Sequence, residues 1–366
     1  MLADEERRFP LTQSETPLIL STDLQILFTV TFVAMRGVSS VTPALPTMSE
    51  ELHITPQKAG LLITVYTLPG LASPLFGLLA DRFGRKKILT PSLIIFSLTG
   101  SMIAFVRDFK LMMVLRFFQG LGAAPLVSLS VTVIGDLYSG EERKTALGYN
   151  VSIQSIGNAV FPTISGAVTV FGWYYPFLLP LIALPVAICV FFLMRTPELE
   201  RENDLKAHLQ EFWQLLRSSQ VVTLFLLTIV TFILLFGAFL TYFPFLLSES
   251  FGASSFTIGL IVASMSLTMI GIASNIGKFT NSDSELIVLQ VAFLLYTLAL
   301  LSIPLVPRLF LFSILTITFG IAQGLNMLTR QTLLLKSAEK KHRGMMMTMN
   351  GAFVKLGQSL GPYSWG

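Results

Sequence analysis

Charged residues are scarce in this sequence. Only 13% of its 366 residues are Asp, Glu, Lys or Arg, whereas 53% are hydrophobic, and the mean hydropathy is +0.71. A soluble domain carries about 25% charged residues. The deficit predicts that lipid rather than water surrounds most of the chain. The net charge of +4 is modest and its bases fall between apolar runs, which argues against a nucleic-acid partner.

Residues for covalent and metal chemistry are also scarce. The single Cys189 excludes an internal disulfide framework. The three histidines, His53, His208 and His342, fall between apolar runs and predict no metal site. Neither a phosphate-binding loop nor a nucleophile with a base partner is present, so neither an ATP-driven pump nor an enzyme is expected, and no cofactor is predicted. Residues 1–22 lack the apolar core of a signal peptide and predict a cytoplasmic tail.

Long apolar segments are what the sequence has instead. Each is long enough to cross a hydrocarbon core of about 30 Å as a helix. Eleven such segments are predicted, with the limits 24–46, 59–80, 88–106, 109–135, 145–168, 173–195, 221–247, 256–276, 285–306, 309–335 and 344–363.

A charged stretch divides these segments into six and five. In its second half, 205–216, apolar and polar residues alternate at helical spacing, which predicts an amphipathic helix on the membrane surface. The predicted organisation is the tail, a six-helix bundle over 23–195, an interdomain loop over 196–220, and a five-helix bundle over 221–366.

The distribution of Lys and Arg predicts the orientation. If the basic loop 82–87 is cytoplasmic, alternation of the spans places seventeen loop and tail bases inside and four outside. This asymmetry predicts a multi-pass protein of the plasma membrane, the inner membrane of a bacterium, with its N-terminus in the cytoplasm.

The two groups of spans repeat one another 200 positions apart. Gly37 recurs as Gly237, and five further residues, Arg143, Asn150, Gly157, Pro162 and Gly166, recur as Arg343, Asn350, Gly357, Pro362 and Gly366. Parallel repeats of this kind are typical of secondary transporters, whose substrate site lies between the halves. The counterpart of the sixth span, 173–195, would fall beyond Gly366, so the sequence predicts a truncated chain or a fragment in which the last span is missing.

Two motifs carry a family resemblance. From Gly77 to Lys87 the chain reads GLLADRFGRKK, which matches the loop signature G-x-L-a-D-R-x-G-R-K/R-K/R of the major facilitator superfamily. From Arg116 to Ala124 it reads RFFQGLGAA, similar to the family's R-x-x-Q-G-x-G-A-A. The resemblance covers essentially the whole chain. It implies an all-α integral membrane protein of two pseudo-symmetric bundles, here with six plus five spans.

A third motif points to one branch of that family. The PALP of Pro43 to Pro46 is similar to the P-x-x-P of twelve-span drug/proton antiporters. The fifth span departs from that branch, because Phe161 and Ser165 replace two glycines of G-x-x-x-G-P-x-x-G-G. The resemblance implies a monomer in the lipid bilayer that handles a small-molecule substrate and a proton or other coupling ion.

The resemblance also implies a gate. Asp81, Arg85 and Asp136, supported by Gly77 and Gly84, would form a charge network at the cytoplasmic ends of the second and fourth spans. The Asp81 carboxylate would face the N-terminus of the last helix, where the helix dipole favours an anion. The alternative is that these charges only orient the spans.

Charged residues deep in a span are costly and are candidates for function. The deep ones here are all cations, and no Asp or Glu falls in the middle of a predicted span. For Arg116 the alternative is a structural role, in which its side chain forms hydrogen bonds to neighbouring helices. The predicted substrate or coupling cavity consists of Arg36, Arg116, Gln119, Lys355, Asn150 and Gln154.

These residues leave the substrate open. The resemblance implies proton-coupled efflux of small amphipathic compounds by alternating access. A cavity lined by cations instead favours an anionic or neutral substrate, because arginine pairs with carboxylate and phosphate. The alternatives are therefore an organic-anion or sugar-like porter and, from another class, a truncated non-transporting sensor or remnant.

Overall fold

A computed structural model of the chain describes residues 18–195, 218–273, 285–337 and 343–364. The predicted surface helix at 205–216 and most of the N-terminal tail lie outside the described residues. Within them every regular element is helical. The helical segments are α1 (Thr22–Glu51), α2 (Pro56–Phe83), α3 (Arg85–Phe105), α4 (Phe109–Leu137), α5 (Gly140–Thr169), α6 (Tyr175–Leu193), α7 (Ser219–Phe251), α8 (Ser255–Ala273), α9 (Glu285–Leu301), α10 (Leu309–Ser337) and α11 (Arg343–Ser364).

Each of the eleven predicted segments contains a helix within the described residues, and eight of these helices are long and apolar enough to cross a membrane by length and composition alone. The exceptions are α5 and α11, which carry more polar residues, and α9, of which 17 residues are described. Several predicted boundaries are short: α1 continues beyond residue 46 to Glu51, α5 begins at Gly140 rather than at residue 145, and α7 continues beyond residue 247 to Phe251. Pro43 and Pro46 cause no break because each stands at the start of a new helical piece, where its missing N–H is not needed.

The helices form two bundles, α1–α6 and α7–α11. In the first, α1 packs on α5 and α6, and α3 packs on α4 and α6. In the second, α7 packs on α11, and α10 packs on α8 and α9. The bundles meet where α5 crosses α8 and where α2 crosses α11. In the sequence repeat α2 corresponds to α8 and α5 to α11, so the two crossings are equivalent and the interface has pseudo-twofold symmetry.

Glycines bring the helix backbones into direct contact at these crossings. A Cβ atom on Gly259 of α8 would lie 2.4 Å from the carbonyl oxygen of Pro162 in α5. The equivalent contact in the other crossing is Gly60 of α2, where a Cβ would lie 3.3 Å from Cβ of Pro362 in α11. A larger side chain at Gly259 would therefore push the two halves apart, whereas at Gly60 neighbouring side-chain atoms would have to shift.

The predicted repeat is also visible in a pair of buried hydrogen bonds. The Thr31 hydroxyl donates to Oδ1 of Asn150 at 2.8 Å and joins α1 to α5. The Thr228 hydroxyl donates to Oδ1 of Asn350 at 3.1 Å and joins α7 to α11. The same contact therefore fixes the same pair of helices in each half.

Apolar packing differs between the two ends of the molecule. We call the end that contains Gly252 the Gly252 end, and the end that contains Gly84 the Gly84 end. Toward the Gly252 end one buried core crosses the interface and includes Met48 of α1 and Phe243 of α7. Toward the Gly84 end the described residues form separate cores, one around Leu89 in the first half and others confined to the second. The halves thus share apolar packing mainly toward the Gly252 end.

The crossing of α5 and α8 generates a prediction. Gly259→Ala should lower the unfolding temperature of the purified protein in detergent, because overpacking at a backbone contact costs about 1–3 kcal/mol. Gly148→Ala on α5 is the matched control, since nothing lies within 4 Å of its Cβ position. Equal unfolding temperatures for Gly259→Ala and the wild type would contradict the contact.

Candidate functional site

The turn between α2 and α3 positions the predicted charge network. Gly84 has φ of 97° and ψ of 137°, a conformation that side-chain-bearing residues rarely adopt, so glycine permits the sharp turn. The turn places Asp81, in the last turn of α2, beside Arg85, the first residue of α3. Close packing does not require a glycine at position 77, because nothing lies within 4 Å of the Cβ position of Gly77.

Arg85 connects three helices through two ion pairs. Its Nη2 lies 3.3 Å from Oδ1 of Asp81, and its Nη1 lies 2.8 Å from Oδ2 of Asp136 at the end of α4. The Arg85 and Asp136 side chains are only 5% and 6% exposed. The structure therefore brings the three predicted charges together at the Gly84 end of the first half. The Ser73–Phe83 part of α2 also contacts α11, across the interface.

Arg116 is buried within the first half and has several partners. Its Nε donates to the carbonyl oxygen of Leu62 in α2 at 3.3 Å, and its Nη1 donates to Oε1 of Gln119 at 2.7 Å. The guanidinium carbon lies 4.7 Å from the ring centre of Tyr66 in α2 and 5.8 Å from that of Phe177 in α6. These contacts link α2, α4 and α6, which favours the structural alternative for Arg116.

Arg36 is just as deeply buried but has few partners. It is 2% exposed, and its Nη1 and Nη2 have no hydrogen-bond partner. Its Nε makes one long contact of 3.5 Å to the carbonyl oxygen of Val33, and its guanidinium lies 5.6 Å from the ring centre of Phe161. Buried polar groups normally have a partner, so this guanidinium is a candidate to receive one from a ligand.

The remaining predicted cavity residues lie in different surroundings. Lys355 of α11 packs at the interface, where its Cδ is 2.6 Å from the position of a Cβ on Gly70 in α2. Its ammonium donates to Oε1 of Gln358 at 3.1 Å. The buried Asn150 bridges α1 and α5 as described above, and Gln154 is partly exposed on α5. The structure thus gives Lys355 a place between the halves and Asn150 a bond between neighbouring helices.

A polar cluster in the second half was not among the predicted site residues. The Tyr296 hydroxyl of α9 donates to Oε1 of Gln323 in α10, and Nδ2 of Asn326 donates to the Thr231 hydroxyl in α7 at 2.8 Å. Arg330, one turn beyond Asn326, is also buried. The spacing of Gln323, Asn326 and Arg330 by three and four residues is the signal that could have shown a shared polar face of α10.

Two repeated bundles, a pseudo-symmetric interface and buried polar groups beside it define a polytopic helical transporter for small molecules. The chain belongs to the Major Facilitator Superfamily, whose sequence profile matches residues 27–362. The resemblance to this family, predicted from one loop motif and one motif within a span, is therefore confirmed.

Relatives and solved structures agree with this assignment. Multidrug resistance protein 2 of Bacillus subtilis (strain 168) is 28% identical over 346 residues, covering 92% of this chain and 86% of the relative. Multidrug resistance protein 1 of the same organism is 25% identical, covering 93% and 87%. These full-length relatives support the predicted resemblance to the drug-efflux branch.

The fold is shared with transporters of low sequence identity. The structure of a bacterial homologue of the human lysosomal transporter Spinster, inward-facing and unoccupied, has a TM-score of 0.78 at 16% identity, covering 93% of this chain and 80% of that one. The nucleoside transporter NupG has a TM-score of 0.73 at 16% identity, covering 93% and 89%.

The buried ion pair of Arg85 generates a prediction. Arg85→Gln should destabilise the protein by about 3–5 kcal/mol, because it breaks both ion pairs and leaves the buried Asp136 carboxylate without its arginine. Asp136→Asn should cost less, because Arg85 keeps its ion pair with Asp81. The double variant should lose less stability than the sum of the losses of the two single variants. Unfolding of the purified protein in detergent would measure the cycle.

Lys144→Gln is the control for this cycle. Lys144 pairs with Glu141 on the surface, with both side chains largely exposed, and its removal should cause no measurable change. If Arg85→Gln lost no more stability than Lys144→Gln, the result would contradict a stabilising buried network.

Proposed function

We propose that the protein is a secondary active exporter of the plasma membrane that moves small amphipathic compounds out of the cell in exchange for protons. The observation that carries this proposal is the similarity to two multidrug resistance proteins over more than nine-tenths of the chain. Substrates of that kind suit a protein whose two halves meet through apolar and aromatic side chains.

Alternating access follows from how the halves meet. A shared core at the Gly252 end and separate cores at the Gly84 end fit two rigid bundles that rock about the α2–α11 and α5–α8 crossings. In this proposal the Gly84 end faces the cytoplasm, as its basic residues favour, and the N-terminus is cytoplasmic. The structure then corresponds to a state closed on the outer side.

The charge network acts as a gate in this scheme. Arg85 holds the ends of α2, α3 and α4 together, so the first half moves as one body at this end. Asp81 is the least buried member, with 22% of its side chain exposed, and it lies on the part of α2 that contacts α11. A carboxylate there would stabilise the N-terminal end of α11 when the halves close on the cytoplasmic side.

In this proposal carboxylates at the Gly84 end carry the exchanged proton. Among the described residues two carboxylates are largely buried, Asp136 with Arg85 and Glu285 with Lys336 at 2.7 Å, and both lie at that end. Protonation of either would neutralise it and weaken its ion pair. Proton binding would thus be linked directly to the strength of the contacts that hold the gate.

An efflux assay tests the proposal. Cells that express the protein should export fluorescent amphipathic dyes, and a protonophore should abolish the export. Asp81→Asn should reduce export at least severalfold at equal membrane levels, whereas Lys87→Gln, an exposed base of the same loop, should not. Export that survives the protonophore would contradict proton coupling, and the absence of export for every dye would contradict the exporter.

A second candidate function, transport of organic anions, is favoured by one observation. Arg36 has two buried Nη groups without a protein partner, and a carboxylate could accept hydrogen bonds from both. The planar guanidinium suits this geometry better than an ammonium group does.

Variants of Arg36 separate the two candidates. Arg36→Gln should reduce transport of carboxylate-bearing compounds by roughly tenfold or more, since a hydrogen bond to a charged group contributes about 1.5–3 kcal/mol. Arg36→Lys, which keeps the positive charge but lacks the paired N–H donors of the planar guanidinium, should restore only part of the transport rate. Vesicle uptake of labelled organic anions and of a cationic dye would measure both. Equal effects on anions and cations would contradict an anion-binding role.

A further inference from the structure

The face of α10 that points into the second half carries an unpaired charge. Arg330 is 1% exposed, and its Nε and Nη1 have no hydrogen-bond partner. None of the ion pairs found in the described part of the chain includes it. Its one described contact is with the ring of Phe232 in α7, whose centre lies 5.9 Å from the guanidinium carbon.

Neighbouring groups leave the guanidinium without a protein acceptor. The Tyr296 hydroxyl lies within electrostatic range of Arg330, but it donates to Gln323 and accepts from Nδ2 of Asn326 at 3.4 Å. Two more buried polar atoms of the same helix have no partner, Oγ1 of Thr329 and Oδ1 of Asn326. Asn326 and Arg330, one turn apart on the same face of α10, therefore both have unused hydrogen-bonding capacity.

Two of the other buried arginines have more protein partners than Arg330. Arg85 has two carboxylates, and Arg116 has a carbonyl and an amide oxygen together with two rings. An isolated charge within a membrane span is expensive, and a water molecule can solvate it without neutralising it. A group of N–H donors around an uncompensated positive charge matches the chemistry of an anion.

We propose that Arg330 forms an anion-binding site inside the second half, on the face of α10 that also carries Asn326, and that the site takes one small monoanion. The ligand is a halide ion or a carboxylate group, bound by the guanidinium N–H groups. The free Oδ1 of Asn326 would accept from a hydroxyl or water molecule that accompanies it. This site is separate from the charge network at the Gly84 end and from Arg36 in the first half, and it does not depend on the direction or coupling of transport.

Ligand-dependent thermal stability tests the site directly. The purified full chain in detergent would be titrated with chloride and, separately, with acetate, in a sulfate buffer of constant ionic strength. The unfolding temperature of the wild type should rise and saturate, because a ligand that binds only the folded state stabilises it. Arg330→Gln should show no such rise. Arg330→Lys should bind roughly tenfold more weakly, through lost charge-assisted hydrogen bonds.

A matched control and an anion-free measurement complete the test. Arg308→Gln removes an exposed arginine just before α10 and should respond as the wild type does. Without chloride or acetate, Arg330→Gln should be at least as stable as the wild type, because it removes an unpaired buried charge.

Three results would overturn the proposal. They are a wild type that responds to neither anion, an Arg330→Gln variant that responds like the wild type, and an Arg330→Gln variant that is strongly destabilised in anion-free buffer. A response to chloride alone would support a halide site, and a response to acetate alone would support a site for carboxylate groups of organic compounds.

Discussion

Direct contact between helix backbones at glycine is the constraint on which the arrangement depends. In lipid no hydrophobic force drives helices together, so close van der Waals contact must do so. A Cβ on Gly120 of α4 would lie 2.0 Å from the carbonyl oxygen of Tyr66 in α2, and one on Gly320 of α10 would lie 2.5 Å from that of Met265 in α8. Because α4 lies this close to α2, Arg116 can reach the carbonyl oxygen of Leu62.

The close packing also explains why buried arginines of one protein have different roles. Where helix ends supply carboxylates, as around Arg85, the charge is neutralised and the arginine joins helices. Where α2 and α4 supply neutral oxygens and rings, as around Arg116, the charge is solvated by the protein itself. Arg36 and Arg330 have neither arrangement at their unpartnered N–H groups. A tightly packed interior cannot adjust easily to supply them, so those groups stay without a hydrogen-bond partner.

The sequence predicts the scaffold better than the use of its polar residues. Helical segments follow from length and hydropathy, because the bilayer requires every backbone group to be satisfied within the chain. The nearness of Asp81 and Arg85 follows from their positions in one loop motif, and that of Asp136 was expected from the family resemblance. The hydrogen bond between Thr31 and Asn150 was not expected, because an amide within a span can face either a cavity or a neighbouring helix.

The repeat itself shows why such contacts escape a sequence comparison. Asn150 and Asn350 are 200 positions apart, whereas their partners Thr31 and Thr228 are 197 positions apart. The structural equivalence therefore lies in the contact and not at one constant offset. A short insertion or deletion within a half is enough to hide it, even though the geometry of the paired helices is retained.

The symmetry of the backbone does not extend to the chemistry that it supports. At the positions of α10 that correspond to Arg116 and Gln119 of α4, the chain has Thr316 and Phe319. Phe319 packs on Phe239 of α7 with ring centres 3.9 Å apart, so this side of the second half is aromatic where the first is cationic. Arg116 and Phe319 are both fully buried, so the difference lies in how each half packs. The common scaffold is therefore compatible with different chemistry at equivalent positions, and it does not by itself fix which compounds bind.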